Sequence, residues 1–180
     1  EVLKQGLDPK NGWIDVYPHQ DKDSGAFCSS VYGVHPFVKT NYFDGLDDLS
    51  TLAHEYGHAV HSHLSMTTQP YVTSNYAAFN AEVASTVNEK FLSDYLLKNA
   101  KSDDERLYLL NELVETIRTT IFRQALFAEF ELLTHTAAEH GTPLTAEFLN
   151  KTYRDLLVIY YGKDFAIGDN DDIEWAYIPH

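Results

Sequence analysis

The residues best suited to chemistry in this sequence are the two histidines and the glutamate of the segment His54-Glu55-Tyr56-Gly57-His58. This is an HExxH motif, and on a helix a spacing of four residues places both imidazoles on one face, where they can bind one metal ion. Imidazole nitrogens suit zinc, and Glu55 projects to one side of the pair, within reach of an attacking water. The motif therefore predicts metal-assisted hydrolysis with Glu55 as the general base.

A catalytic zinc takes three protein ligands, so this motif needs one more. The longer pattern HExxHxxGxxH is absent, because His61 and Leu64 stand at its glycine and last histidine positions. On the next predicted helix, Glu82 and Glu89 share a polar stripe and can both project toward the histidines. We expect one of them to bind the metal and the other to orient an imidazole, and spacing leaves open which does which.

His61 lies on the same side of the helix as the two motif histidines. A third ligand one turn further along the same helix would have poor geometry. A hydrogen-bonding or substrate-contacting role near the metal and a plain polar contact are both compatible with its position.

Hydrophobic periodicity places the motif on the first of four long helices. The predicted helices cover residues 47–64, 76–98, 102–139 and 142–161, the third opened by the capping sequence at Ser102 and the last by Thr142 and Pro143. A loop is predicted for residues 66–74.

Residues about 12–43 are rich in aromatic and β-branched side chains between turn signals and predict a small β subdomain. The fold class is therefore mainly α, with a small β-sheet near the N-terminus and a helical region over about 47–162. On the second helix, Val83, Val87, Phe91 and Tyr95 lie opposite the polar stripe. The predicted buried face of the third helix consists of Leu107, Leu110, Val114, Ile117 and Ile121.

Composition limits the possible partners. With 13 Lys and Arg against 27 Asp and Glu, the 180-residue chain has a formal net charge of −14, which argues against nucleic acid and anionic membrane surfaces as partners. No apolar run is long enough to span a bilayer. The single cysteine, Cys28, cannot form an internal disulfide, which suits a reducing compartment. The residues after Glu1 do not resemble a signal peptide. Together these observations favour a cytoplasmic location. The oligomeric state is left open.

Several segments form a recognisable set when taken together. They are Leu52–His61, Phe79–Ser85, Asn88–Glu89, Ser24–Cys28, Val31–Phe37 and Glu174–His180. The first three resemble the thimet-oligopeptidase group of zinc metallopeptidases, and the others are closer to its bacterial branch, oligoendopeptidase F. The resemblance runs from about Trp13 to the last residue.

This resemblance implies a zincin-like helical catalytic domain over residues 1–180, as a catalytic-core fragment of a larger chain. It implies zinc ligands at His54, His58 and Glu82, a general base at Glu55, and an acidic group near the metal at Glu89.

The resemblance also implies residues that handle the substrate. Gly25, Ala26 and Phe27 fall in the family's edge strand, where an extended peptide pairs by β-addition. His180 matches a family histidine close to the scissile carbonyl. The family's tyrosines beyond that histidine, which stabilise the oxyanion, and its large N-terminal helical part have no counterpart in this sequence.

The predicted function is a zinc-dependent endopeptidase with one Zn²⁺ per chain, which hydrolyses internal bonds of short peptides. One alternative is a non-catalytic helical module in which zinc ties two helices together. Such a site would close with four ligands and would have no use for Glu55. A second alternative is a zinc carboxypeptidase, which would need a basic residue for the substrate's C-terminus.

Overall fold

The computed structural model describes residues 1–178, which form two compact units, Glu1–Arg106 and the residues from Leu107 onward. The elements of the first unit are α1 (Val2–Leu7), a 3₁₀ turn (Pro9–Asn11), β1 (Ile14–Asp15), β2 (Phe27–Ser29), β3 (Phe37–Lys39), α2 (Leu46–Thr68), a 3₁₀ turn (Tyr71–Thr73), α3 (Ala78–Asn99) and the start of α4 (Asp103–Ile117). The prediction of a mainly helical chain with a small sheet near its N-terminus is confirmed.

The sheet has the strand order β1-β3-β2. Strand β3 lies in the centre, with Val38 opposite Ile14 of the parallel β1 and opposite Cys28 of the antiparallel β2. Val38 is buried against Tyr56 and Ala59, so that the sheet packs on α2. Strand β2 is consequently an edge strand that lies over the helix carrying the HExxH motif.

Helix α2 is longer than its apolar periodicity predicts. It begins where the Asp48 carboxylate accepts hydrogen bonds from the backbone N–H groups of Phe43, at 2.9 Å, and Gly45, at 3.0 Å. It continues to Thr68, so the loop predicted from residue 66 is wrong for its first residues. The helix ends there because Gln69 precedes Pro70 and takes an extended conformation.

Helices α2 and α3 approach each other closely at Gly57. A Cβ atom added at Gly57 would lie 2.7 Å from both the Ala84 carbonyl oxygen and Ser85 Cα. Only glycine leaves room for this approach. Three residues beyond the fully buried Ser85, Asn88 Nδ2 donates a hydrogen bond of 2.6 Å to the carbonyl of Ala53 on α2.

The side of α3 that faces α2 is the polar one. The residues opposite it, Val83, Val87, Phe91 and Tyr95, are 45–68% exposed. On the third helix the predicted buried face is wrong for the residues that the structure describes: Leu107, Leu110, Val114, Ile117 and Ile121 are 41–68% exposed. The buried residue of α4 is Leu109.

The second unit is built from the end of α4, a π-helical turn (Arg118–Phe122), α5 (Arg123–Glu139), α6 (Ala146–Tyr161) and a 3₁₀ segment (Asp171–Tyr177). Its core consists of Leu126, Phe127, Phe130, Tyr153, Leu156 and Leu157, contributed by α5 and α6.

Helix α6 begins three residues later than Thr142 and Pro143 predict. Its N-cap is Thr145, whose hydroxyl accepts a hydrogen bond of 3.2 Å from the backbone N–H of Phe148. Among residues 1–178, no helix combines the length and the apolar character needed to cross a bilayer.

Replacing Gly57 tests the close helix approach. We expect Gly57→Ala to lower the free energy of unfolding by about 1–3 kcal/mol, because the added methyl group meets the backbone of α3. At an ordinary helical site the same change raises stability by about 1 kcal/mol. Chemical denaturation measures the difference, with the exposed Thr51→Ala on the same helix as a control. A stability gain in Gly57→Ala would contradict the packing described.

The packing of β2 is tested by its cysteine. Burial raises the pKa of the Cys28 thiol from its ordinary 9.0 to about 11. At neutral pH the folded chain therefore holds about a hundredfold less thiolate than the unfolded chain, and we expect alkylation by iodoacetamide to be slower by a similar factor. The rate should rise with pH up to the raised pKa. Equal rates in folded and denaturant-unfolded chain would contradict this burial.

Candidate metal centre

Three side-chain atoms of the first unit converge at one point. His54 Nε2 and His58 Nε2, one helical turn apart on α2, lie 3.2 Å from each other. Oε2 of Glu82, on α3, lies 3.4 Å from the first nitrogen and 3.7 Å from the second. Among residues 1–178, these three form the group of side chains with the geometry to hold a metal ion.

The distances among these three atoms fit ligands in tetrahedral coordination around one ion better than they fit hydrogen bonds. Charge-assisted hydrogen bonds between imidazole and carboxylate are about 2.7–2.9 Å long, so both contacts of Glu82 are too long. Ligands at about 2.0–2.2 Å around zinc are about 3.3–3.6 Å apart at tetrahedral angles. The donor set, two imidazoles and one carboxylate, is also one that zinc accepts in catalytic sites with an open fourth position.

Glu89 contacts the other nitrogen of the His54 ring. Its Oε1 accepts a hydrogen bond of 2.7 Å from Nδ1 of His54. This contact directs the other ring nitrogen, Nε2, toward His58 and Glu82. A carboxylate behind a metal-binding imidazole fixes its tautomer and orientation.

The charges around the trio act differently on the two imidazoles. The hydrogen bond that His54 donates to Glu89 is the main cause that raises the pKa of His54. Burial lowers the pKa of His58, and the neighbouring His54 lowers it further. His58 is therefore neutral at neutral pH, the form in which imidazole binds a metal.

Glu55 lies beneath the edge strand. Its side chain is buried, and this burial is the main cause that raises its pKa. The positive charge of His54 and a hydrogen bond from the backbone N–H of Cys28 act in the opposite direction. The Glu55 carboxylate therefore lies close both to His54 and to the backbone of β2 at Cys28.

The other predicted site residues have different surroundings. His61 stacks on Tyr76 with ring centroids 3.9 Å apart, and its Nδ1 has no hydrogen-bond partner within residues 1–178. Gly25 and Ala26 precede β2, which begins at Phe27. The Gly25 carbonyl accepts a hydrogen bond of 3.0 Å from Asn41, so this oxygen is used within the protein. His180 lies outside the described residues.

Sequence reasoning gave no role to Ser85, and it did not single out the contact of Asn88 with Ala53. The hydroxyl of Ser85 donates to Oε2 of Glu82 at 2.9 Å. The signal was the spacing of three residues between Ser85 and Glu82, which puts both side chains on one helix face.

Comparison with known proteins gives one consistent result. Residues 2–179 match peptidase family M3. The chain is 46% identical over 179 residues to oligopeptidase PepF of Bacillus subtilis and 46% identical over 170 residues to the plasmid-encoded oligoendopeptidase F of Lactococcus lactis subsp. cremoris. These alignments include 99% and 93% of this chain but only 26% and 28% of the relatives, so the chain spans between a quarter and a third of their length.

The solved structures agree with the sequence relatives. A crystal structure from Chlamydophila abortus, of a protein assigned as a peptidase, superimposes with a TM-score of 0.79 at 47% identity, over 99% of this chain and 30% of that one. PZ peptidase A in complex with an inhibitor shares the fold, with a TM-score of 0.71 at 20% identity over 98% of this chain and 30% of that one. By the extent of the family match, the chain belongs to peptidase family M3.

Proposed function

We propose that this chain forms the catalytic core of a zinc-dependent endopeptidase that hydrolyses internal bonds of short peptides. The observation that carries the proposal is the convergence of His54 Nε2, His58 Nε2 and Glu82 Oε2 at separations of 3.2–3.7 Å, with Glu55 between the two histidines in sequence. Membership of a peptidase family and the oligopeptidase names of the relatives support the same substrate class.

His54, His58 and Glu82 would hold one zinc ion, which when bound lowers the pKa of a water and polarises the substrate carbonyl. Glu55 accepts a proton from the attacking water and donates it to the nitrogen of the leaving amine. Glu89 keeps the His54 ring in place through its hydrogen bond to Nδ1. The backbone of Cys28 favours the charged form of the Glu55 carboxylate.

The substrate peptide would run along β2. Within residues 1–178 this strand pairs with β3 on one side only, and an extended peptide can add to the other side through backbone hydrogen bonds. Phe27 lies within the strand, while Gly25 and Ala26 lie at its entrance and line a cavity of about 400 Å³. A role for His180 beside the scissile carbonyl remains part of this proposal.

Capped substrates separate the proposed activity from its rivals. A short fluorogenic peptide, acetylated at its N-terminus and amidated at its C-terminus, offers an endopeptidase an internal bond but offers a carboxypeptidase no terminal carboxylate. Cleavage of this peptide supports the proposal. Cleavage only of the peptide with a free C-terminus would indicate a carboxypeptidase, and stoichiometric zinc without cleavage of either peptide would indicate a structural metal module.

Metal binding is the first prediction of this site. We expect one zinc per chain by elemental analysis and its loss in His54→Ala. Glu82→Ala should weaken zinc affinity by more than a hundredfold, whereas Glu89→Ala, which removes only the group behind His54, should weaken it about ten- to a hundredfold. Competition with a chelator measures both variants. The reverse order would exchange the roles of the two glutamates.

The general base gives a second prediction. We expect Glu55→Gln to retain one zinc per chain and to lower kcat by about 10²–10⁴-fold, because glutamine has the shape of glutamate but cannot accept the proton. Peptide hydrolysis is measured on the protein at its natural full length. Glu131→Gln, at an exposed position of α5, is the matched control and should leave the rate unchanged. Normal turnover in Glu55→Gln would remove Glu55 from the mechanism.

A further inference from the structure

A buried serine lies directly behind the proposed metal ligand on α3. Ser85 is 0% exposed, in the middle of a helix, at the point where Gly57 lets α2 come closest. A buried hydroxyl must find hydrogen-bond partners. The partners that Ser85 has are therefore informative about the reason for its presence.

Both partners of this hydroxyl belong to one residue. Oγ of Ser85 lies 3.1 Å from the carbonyl oxygen of Glu82, one turn earlier in the helix, and 2.9 Å from Oε2 of the same residue. The first contact is common for serine within helices. The second is specific to this site, because Oε2 is the oxygen that faces Nε2 of both His54 and His58.

The carboxylate that receives this hydrogen bond has few other restraints. The Glu82 side chain is 59% exposed, and an exposed glutamate samples several rotamers in water. Ser85 is fixed by its burial, so its hydroxyl supplies a rigid point of attachment. Glu89 performs the corresponding task for His54, since it holds the ring from behind.

We propose that Ser85 is a positioning residue of the metal site, whose hydroxyl holds Glu82 Oε2 in the orientation that faces the two histidines. This inference rests on the proposed function, because it assigns Ser85 to the same metal-binding group. The assigned role is indirect, because Ser85 is fully buried and acts through its hydrogen bond to Glu82.

The test is zinc affinity of the 180-residue chain, measured by competition with a chelator on metal-free protein. We expect Ser85→Ala to weaken binding about tenfold or more, the effect typical of groups that orient metal ligands. Thr86→Val is the matched control. The Thr86 hydroxyl bonds to the carbonyl oxygen of Glu82, at 2.5 Å, and not to its carboxylate, so this variant should bind zinc as the wild type does.

A double-mutant cycle separates positioning from general packing. In a Glu82→Ala background the carboxylate is absent, and we expect Ser85→Ala to have no further effect on zinc affinity. An equal loss in both backgrounds would show that Ser85 acts through helix packing and would overturn the inference. Unchanged affinity in Ser85→Ala alone would overturn it as well.

Two measurements keep the result interpretable. Alanine leaves unchanged the backbone of residue 85, whose Cα lies beside Gly57, and far-UV circular dichroism checks that the variant is folded. If it unfolds, Ser85→Gly replaces it, since glycine also lacks the hydroxyl and adds no metal-binding group, and a loss of affinity in the same direction is expected. Failure of the wild-type chain to bind zinc would overturn the proposed function and this inference together, whereas a normal wild type with an unaffected Ser85→Ala would overturn this inference alone.

Discussion

The close approach of α2 and α3 at Gly57 fixes the position of every group in the candidate metal centre. Because residue 57 has no side chain, the backbone of α3 can come within contact distance at Ser85. This approach sets the offset of one helix along the other, so that Glu82 faces the Nε2 atoms of the histidine pair and Glu89 faces Nδ1 of His54. Gly57, inside the HExxH motif, is thus as important for the geometry of the metal centre as the two histidines and the glutamate that define the motif.

The same contact explains an unusual distribution of polarity on α3. Its polar stripe faces α2, because the groups that reach the histidines must lie there, and its apolar residues face outward within residues 1–178. Periodicity indicates that a helix has two different faces. It does not say which face meets a neighbour when that neighbour is itself a polar site.

Sequence reasoning succeeded where the geometry is local. The pairing of His54 and His58 follows from helical spacing alone, and the small sheet follows from composition and turn signals. The choice between Glu82 and Glu89 could not follow from spacing, because both lie on one stripe and the offset between two helices is a tertiary property. The start of α6 was ambiguous for another reason, since Thr142 and Thr145 both suit an N-cap and only the observed hydrogen bond to Thr145 distinguishes them.

The division of the three proposed ligands between two helices has a consequence for the kinetics of metal exchange. The two histidines belong to one helix and lie one turn apart, whereas Glu82 reaches them from α3 with an exposed side chain. Rotation of that single carboxylate can therefore open the centre to solvent while both helices stay folded. The lifetime of a bound ion would then depend on a side-chain torsion rather than on unfolding of the chain.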